Sequence, residues 1–122
     1  MGIQRLVFNA STDTGGDWTD TSGPCEGLVL QIRCDTGIFD TGMDLLVQAI
    51  NPDGAPFTIA HYENVGGSAW TRVPRVASHD TGGAALGDQY FVLAHDRLRL
   101  TVNQSGGVTG SLTGKFYVWT GW

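Results

Sequence analysis

Apolar and polar residues alternate with a period of two along most of this chain. In GLVLQIRC (27–34), Leu28, Leu30, Ile32 and Cys34 fall on one side and Val29, Gln31 and Arg33 on the other. In RLRLTVN (97–103), Leu98, Leu100 and Val102 oppose Arg97, Arg99, Thr101 and Asn103. Such alternation predicts strands with one face on a core and the other in water. Four further runs follow the same rule. IQRLVF (3–8) puts Leu6 and Phe8 together, and MDLLVQAI (43–50) puts Met43, Leu45, Val47 and Ala49 together. FTIAHY (57–62) sets Phe57 and Ile59 against Thr58 and Ala60, and LTGKFYVW (112–119) sets Phe116 and Val118 against Tyr117 and Trp119. YFVLA (90–94) is continuously apolar and reads as a strand buried on both faces, and AWTRV (69–73) is a weaker strand.

Turn signals separate these runs. NPDG (51–54) is a strong hairpin turn, because proline presets φ and glycine accepts positive φ. VGGS (65–68), SHDTGGAALGD (78–88) and NQSGG (103–107) punctuate the rest, and CDTGIFDTG (34–42) joins two strands. Residues 10–24 read as a long polar loop. Seven or eight short strands about ten residues apart predict an all-β fold. The expected architecture is an antiparallel β-sandwich, jelly-roll-like, forming a single domain over residues 1–122. MDLLVQAI is the best helical alternative, but it is short and runs into Asn-Pro.

Composition sharpens that picture. Eighteen glycines among 122 residues fit many tight turns. The formal charge of −5 and the lack of a Lys/Arg run argue against a nucleic-acid partner. The N-terminal MGIQRLVFNAS lacks the apolar core of a signal peptide, and no stretch reaches the roughly 18 apolar residues of a membrane span. Synthesis in a cytosol and no membrane partner are the expectation. Cys25 and Cys34 flank a predicted strand of about 30 Å, which is too long for a disulfide between them. They read as thiols, with Cys34 in the core.

The tripeptide Asp-Thr-Gly occurs four times, at Asp13, Asp35, Asp40 and Asp80. It is the catalytic tripeptide of aspartic proteases, in which two carboxylates share one proton, and Ile38-Phe39 precede Asp40-Thr41-Gly42 as apolar residues do there. A dimeric aspartic protease using Asp40 is therefore one reading. Against it, the tripeptides are followed by Gly16, Ile38, Met43 and Gly83 rather than Ala or Ser, and all four lie between predicted strands. A turn explains every copy: the carboxylate accepts a backbone N–H two residues on, and glycine turns the chain. The preferred expectation is no catalytic residue, no cofactor and no bound metal. His61, His79 and His95 read as surface residues, and the spacing of Asp13, Asp17 and Asp20 does not match an EF-hand.

Trp18, Trp70 and Trp122 have no obvious core position and are candidate interface residues, since exposed aromatics mark protein contacts more often than sugar sites. A carbohydrate- or receptor-binding module is the alternative.

LVLQIR, INPDG, AWTRV, DRLRLTVN, QSGGVTGS and LTGKFYVWTG follow one another in an order that resembles small virion proteins of tailed bacteriophages, from Gly27 to Trp122. The resemblance is architectural and has no invariant catalytic residue. It implies a β-sandwich acting without chemistry as a capsid decoration (cement) protein, a head-spike base or a tail accessory. It also implies a trimer or dimer that assembles with the major capsid protein or other virion proteins after synthesis in the host cytoplasm.

Overall fold

The computed structural model describes residues 2–35, 39, 41–79, 81–103 and 112–122. Nine strands appear among them: β1 (Ile3–Ser11), β2 (Trp18–Cys34), β3 (Asp44–Ile50), β4 (Pro56–Tyr62), β5 (Trp70–Arg72), β6 (Val76–His79), β7 (Ala85–Gln89), β8 (Val92–Asn103) and β9 (Thr113–Gly121). The fold is all-β and antiparallel, as the alternation predicts. Seven strands form one sheet in the order β1-β9-β2-β8-β3-β4, with β5 also paired to β2, while β6 and β7 make a separate hairpin. No described helix is long and apolar enough to cross a membrane.

The sandwich is organised around β2. Its first half, from Trp18 to Leu28, pairs with β8, and its second half, from Leu28 to Cys34, pairs with β9. The strand thus belongs to both layers, and the interior lies between them. Phe116 of β9 is fully buried. Its ring stacks on Trp18 at 6.0 Å and on Phe39 at 5.8 Å, so the two layers meet at this residue. Leu45, Val47 and Ala49 of β3 and Leu98, Leu100 and Val102 of β8 complete the inner face as their alternation requires, each no more than 2% exposed.

Bulges let β2 change layers. The register shifts between Thr21 and Pro24, between Cys25 and Glu26, and between Val29 and Gln31. A bulge inserts a residue, increases local twist and reverses which side chains face inward. Before the last shift Cys25 and Val29 are buried; after it Ile32 and Cys34 are. Leu28 and Leu30 are only half-buried. This corrects the uniform alternation expected over 27–34. Gly27, at φ +103°, lies where β2 leaves β8 for β9; a Cβ there would stand 2.9 Å from the Gly121 carbonyl carbon.

Other expectations are also corrected. Residues 10–24 are not one loop. β1 continues to Ser11 and β2 begins at Trp18, because the polar Trp18–Thr21 segment has β8 as a template. The 90–94 run is not buried on both faces: Leu93 is buried while Val92 and Ala94 are exposed. The 78–88 segment carries most of an exposed hairpin. NPDG turns as expected. Asn51 Oδ1 accepts the Asp53 N–H at 3.1 Å, Asp53 Oδ1 accepts the Ala55 N–H at 2.9 Å, and the Gly54 N–H donates to the Asn51 carbonyl at 2.8 Å. Cys25 and Cys34 are both buried thiols on β2.

Candidate functional site

Asp13 behaves as a turn residue. Its Oδ1 accepts the backbone N–H groups of Gly15 (2.9 Å) and Asp17 (3.0 Å), and its carbonyl accepts the Gly16 N–H at 3.0 Å. A carboxylate committed to two amides stabilises the β1–β2 connection. Asp13→Ala is expected to cost about 1–2 kcal/mol, a fall of about 5 °C in thermal midpoint. Asp13→Asn, which keeps an acceptor oxygen, should recover most of it. Equal losses for the two variants in a calorimetric scan would refute the turn role. Asp35 differs: its N–H extends the β-pairing to the Lys115 carbonyl (2.9 Å), and its carboxylate meets Arg33 Nη2 at 3.2 Å. Asp40 and Asp80 lie outside the described residues. With them the turn reading of those two tripeptides and the protease reading of Asp40 lie outside the described residues.

The histidines divide by position. His95 (φ +65°) is the extra residue of the bulge at Glu26, exposed and 3.7 Å from that carboxylate, while the adjacent Asp96 points inward and accepts the Ala94 N–H at 2.8 Å. His61 stands 3.9 Å from Glu63. Among the described residues, no three His, Cys, Asp or Glu side chains converge to hold a metal ion.

The three tryptophans have different surroundings. Trp18 is half-buried against Phe116. Trp70 packs edge-on to Tyr62 at 5.3 Å and donates its indole N–H to the Val65 carbonyl at 2.7 Å, with Arg72 lying over both rings. Burial holds the Tyr62 phenol above its usual pKa, and the Arg72 charge opposes that shift. Both indoles therefore pack against the core, a position that the polar flanks of Trp18 and the glycines before Trp70 concealed. Trp122 is 65% exposed and lines an open cleft of about 360 Å³ with Gln4, Pro24 and Glu26.

A surface that the linear sequence does not reveal lies on the outer side of β1, β9 and β2. The β1–β9 and β9–β2 registers place side chains in rows: Arg5, Trp119 and Gln31, then Val7, Tyr117 and Arg33. Asn9 stands beside Lys115 in the next row. Directly opposed residues share a face and touch. Tyr117 and Trp119 are half-buried and lie 5.9 Å apart, and the Arg5 guanidinium sits 5.0 Å above the Tyr117 ring. Three of the chain's seven Lys/Arg residues, Arg5, Arg33 and Lys115, collect on this face of an acidic chain. Strand pairing has gathered cations that the sequence leaves scattered, one of them, Arg33, with the Asp35 carboxylate 3.2 Å away.

No family model matches the sequence, and no curated protein matches it. Six solved chains match, among them two that align over most of this chain. One is from the structure of infectious bursal disease virus Gt strain, with 10% identity, 98% of this chain covered and a TM-score of 0.41. The other is from the Gx strain of the same virus, with 13% identity, 97% coverage and a TM-score of 0.39. This chain spans 33% and 31% of those two chains, and likeness at this level carries no functional argument.

Proposed function

We propose that this chain is a non-enzymatic structural protein of a virion, a capsid decoration protein that binds the head surface and stabilises the particle. One observation carries the reading: the outer face of β1, β9 and β2 presents Arg5, Arg33, Tyr117 and Trp119 side by side on a paired sheet. Tyr, Trp and Arg are the residues enriched in protein interfaces and in their energetic hot spots. The sheet fixes their backbone, so little conformational entropy is lost on docking. Many copies on one particle multiply a modest single contact. In this reading the major capsid protein or another virion protein is the partner, the chain is made in the host cytoplasm, and the work is done by binding energy with no chemical step.

The test is co-sedimentation of purified chain with particles lacking it. Trp119→Ala should weaken binding about 30-fold, the loss of one 2 kcal/mol hot spot, while the variant, which also loses about 1–2 kcal/mol of stability with its half-buried ring, stays folded with the circular dichroism spectrum of the parent. Unaltered binding would refute the assignment of this face. Quenching of Trp fluorescence by a glycan, without particle binding, would favour the carbohydrate-binding reading. Peptide cleavage at acid pH that is lost in Asp40→Asn would favour the protease.

A further inference from the structure

The two ends of the seven-stranded sheet are built differently. At one end, β4 opens with Pro56 and is bulged against β3, so that Val47 pairs with Ala60 while Gln48 pairs with Thr58. Proline and bulges are the usual devices that keep an edge strand from pairing with another chain. At the other end, β1 carries neither. Its register against β9 runs unbroken from Ile3↔Gly121 to Ser11↔Thr113, and among the described residues no strand occupies its outer edge. Ile3 and Val7 on this strand are 68% and 45% exposed. A nine-residue, unbulged, proline-free edge with exposed apolar side chains is a template for strand addition.

We propose that the occupant of this edge is β1 of a second copy of the chain, paired antiparallel across a two-fold axis, so that the two sheets become one. The sequence of the strand is what selects a second copy. Full antiparallel overlap of Ile3–Ser11 with itself has its midpoint at Val7. Val7 then meets the second copy's Val7 on the outer face, and Leu6 meets the second copy's Phe8 on the inner face. Arg5, the only charged residue of the strand, falls opposite the second copy's Asn9, which avoids like-charge contact. The two Arg5-Tyr117-Trp119 faces also become continuous across the axis. This deepens the virion reading by giving its oligomer an interface, but it concerns the purified chain and does not require a particle.

Opposed residues on adjacent antiparallel strands have Cα atoms about 4.5–5.5 Å apart, within reach of a disulfide. Val7→Cys should therefore form a covalent dimer on mild oxidation, with Phe57→Cys at the guarded β4 edge as the control that keeps the dimer mass in solution but forms no crosslink. The native thiols are buried and do not compete. By light scattering the unmodified chain should have dimer mass. Val7→Glu, which sets two carboxylates against each other at the axis, should raise the dissociation constant about tenfold or more with an unchanged circular dichroism spectrum. A monomeric mass at micromolar concentration, or a Val7→Cys chain that stays uncrosslinked, overturns the proposal. Particle binding by a monomer would leave the virion reading standing, whereas a crosslinked dimer that binds no particle would sink that reading alone.

Discussion

Phe116→Ala is expected to remove about 4 kcal/mol of stability, a large share of the 5–15 kcal/mol typical of a domain. Three contributions combine. The ring is fully buried, so truncation loses its transfer free energy and leaves a cavity. Two stacked neighbours lose their partner, Trp18 at 6.0 Å and Phe39 at 5.8 Å, and each such pair adds about 0.5–1.5 kcal/mol beyond burial. Finally, the contact joins the two layers, so no local rearrangement within one of them refills the space. The urea midpoint should fall by about 2 M or more. Phe57→Ala is the comparison: that ring is 51% exposed and, among the described residues, stacks on Phe91 alone, at 5.1 Å, so its loss should cost about 1 kcal/mol. Similar midpoints for the two variants would mean that the layers are not held together through Phe116.

Gly27→Ala should cost about 3 kcal/mol or more. At φ +103° an L side chain is strained whatever the space around it, and here space is also lacking: the new Cβ would lie 2.9 Å from both the carbonyl carbon and oxygen of Gly121. Those are backbone atoms of β9, so relief requires the strand itself to move. Gly54 separates the two effects. It has φ +94° in the NPDG turn and open space where its Cβ would go, so Gly54→Ala should show the conformational cost alone, about 1–2 kcal/mol. Equilibrium denaturation of both variants measures the difference. Equal losses would show that β2 and β9 do not approach each other as closely as described.

Both positions bear on how much of the fold the sequence discloses. Strands that pair along their whole length are legible. β3 and β8 lie side by side with no register shift, and their inward residues are those that alternation selects. β2 is not legible in the same way, because it changes partner midway and its bulges reset the inward phase. A period of two cannot signal an inserted residue. Leu30 thus looks like core and Val29 like surface, and the structure makes Val29 the buried one. The segment 18–24 was hidden for a related reason. Thr19, Asp20 and Thr21 are exposed; Trp and Thr favour strands, but with no apolar alternation to mark a buried face, only the pairing with β8 defines this segment as one.

The candidate site was less legible still. Trp18, Trp70 and Trp122 stood out because their neighbours in the chain are polar, glycine or terminal. Trp18 has its ring partner Phe116 almost a hundred residues away. The Arg5-Tyr117-Trp119-Arg33 face combines residues from near both ends of the chain and from its first third, and only the β1–β9–β2 register brings them together.

By itself, then, the sequence determined the all-β class, the inward residues of the regular strands and the chemistry of the Asp13 and NPDG turns. These depend on each residue and its near neighbours: side chains alternate across a strand, and an Asx carboxylate or amide reaches only a few atoms along the backbone. The tertiary structure alone decided where β2 crosses between layers, which indoles are packed, how scattered cations gather beside two aromatic rings, and which edge has no strand beside it among the described residues. Those outcomes depend on register between distant segments, which is set by the simultaneous packing of both layers on one interior and is written in no single stretch of the chain.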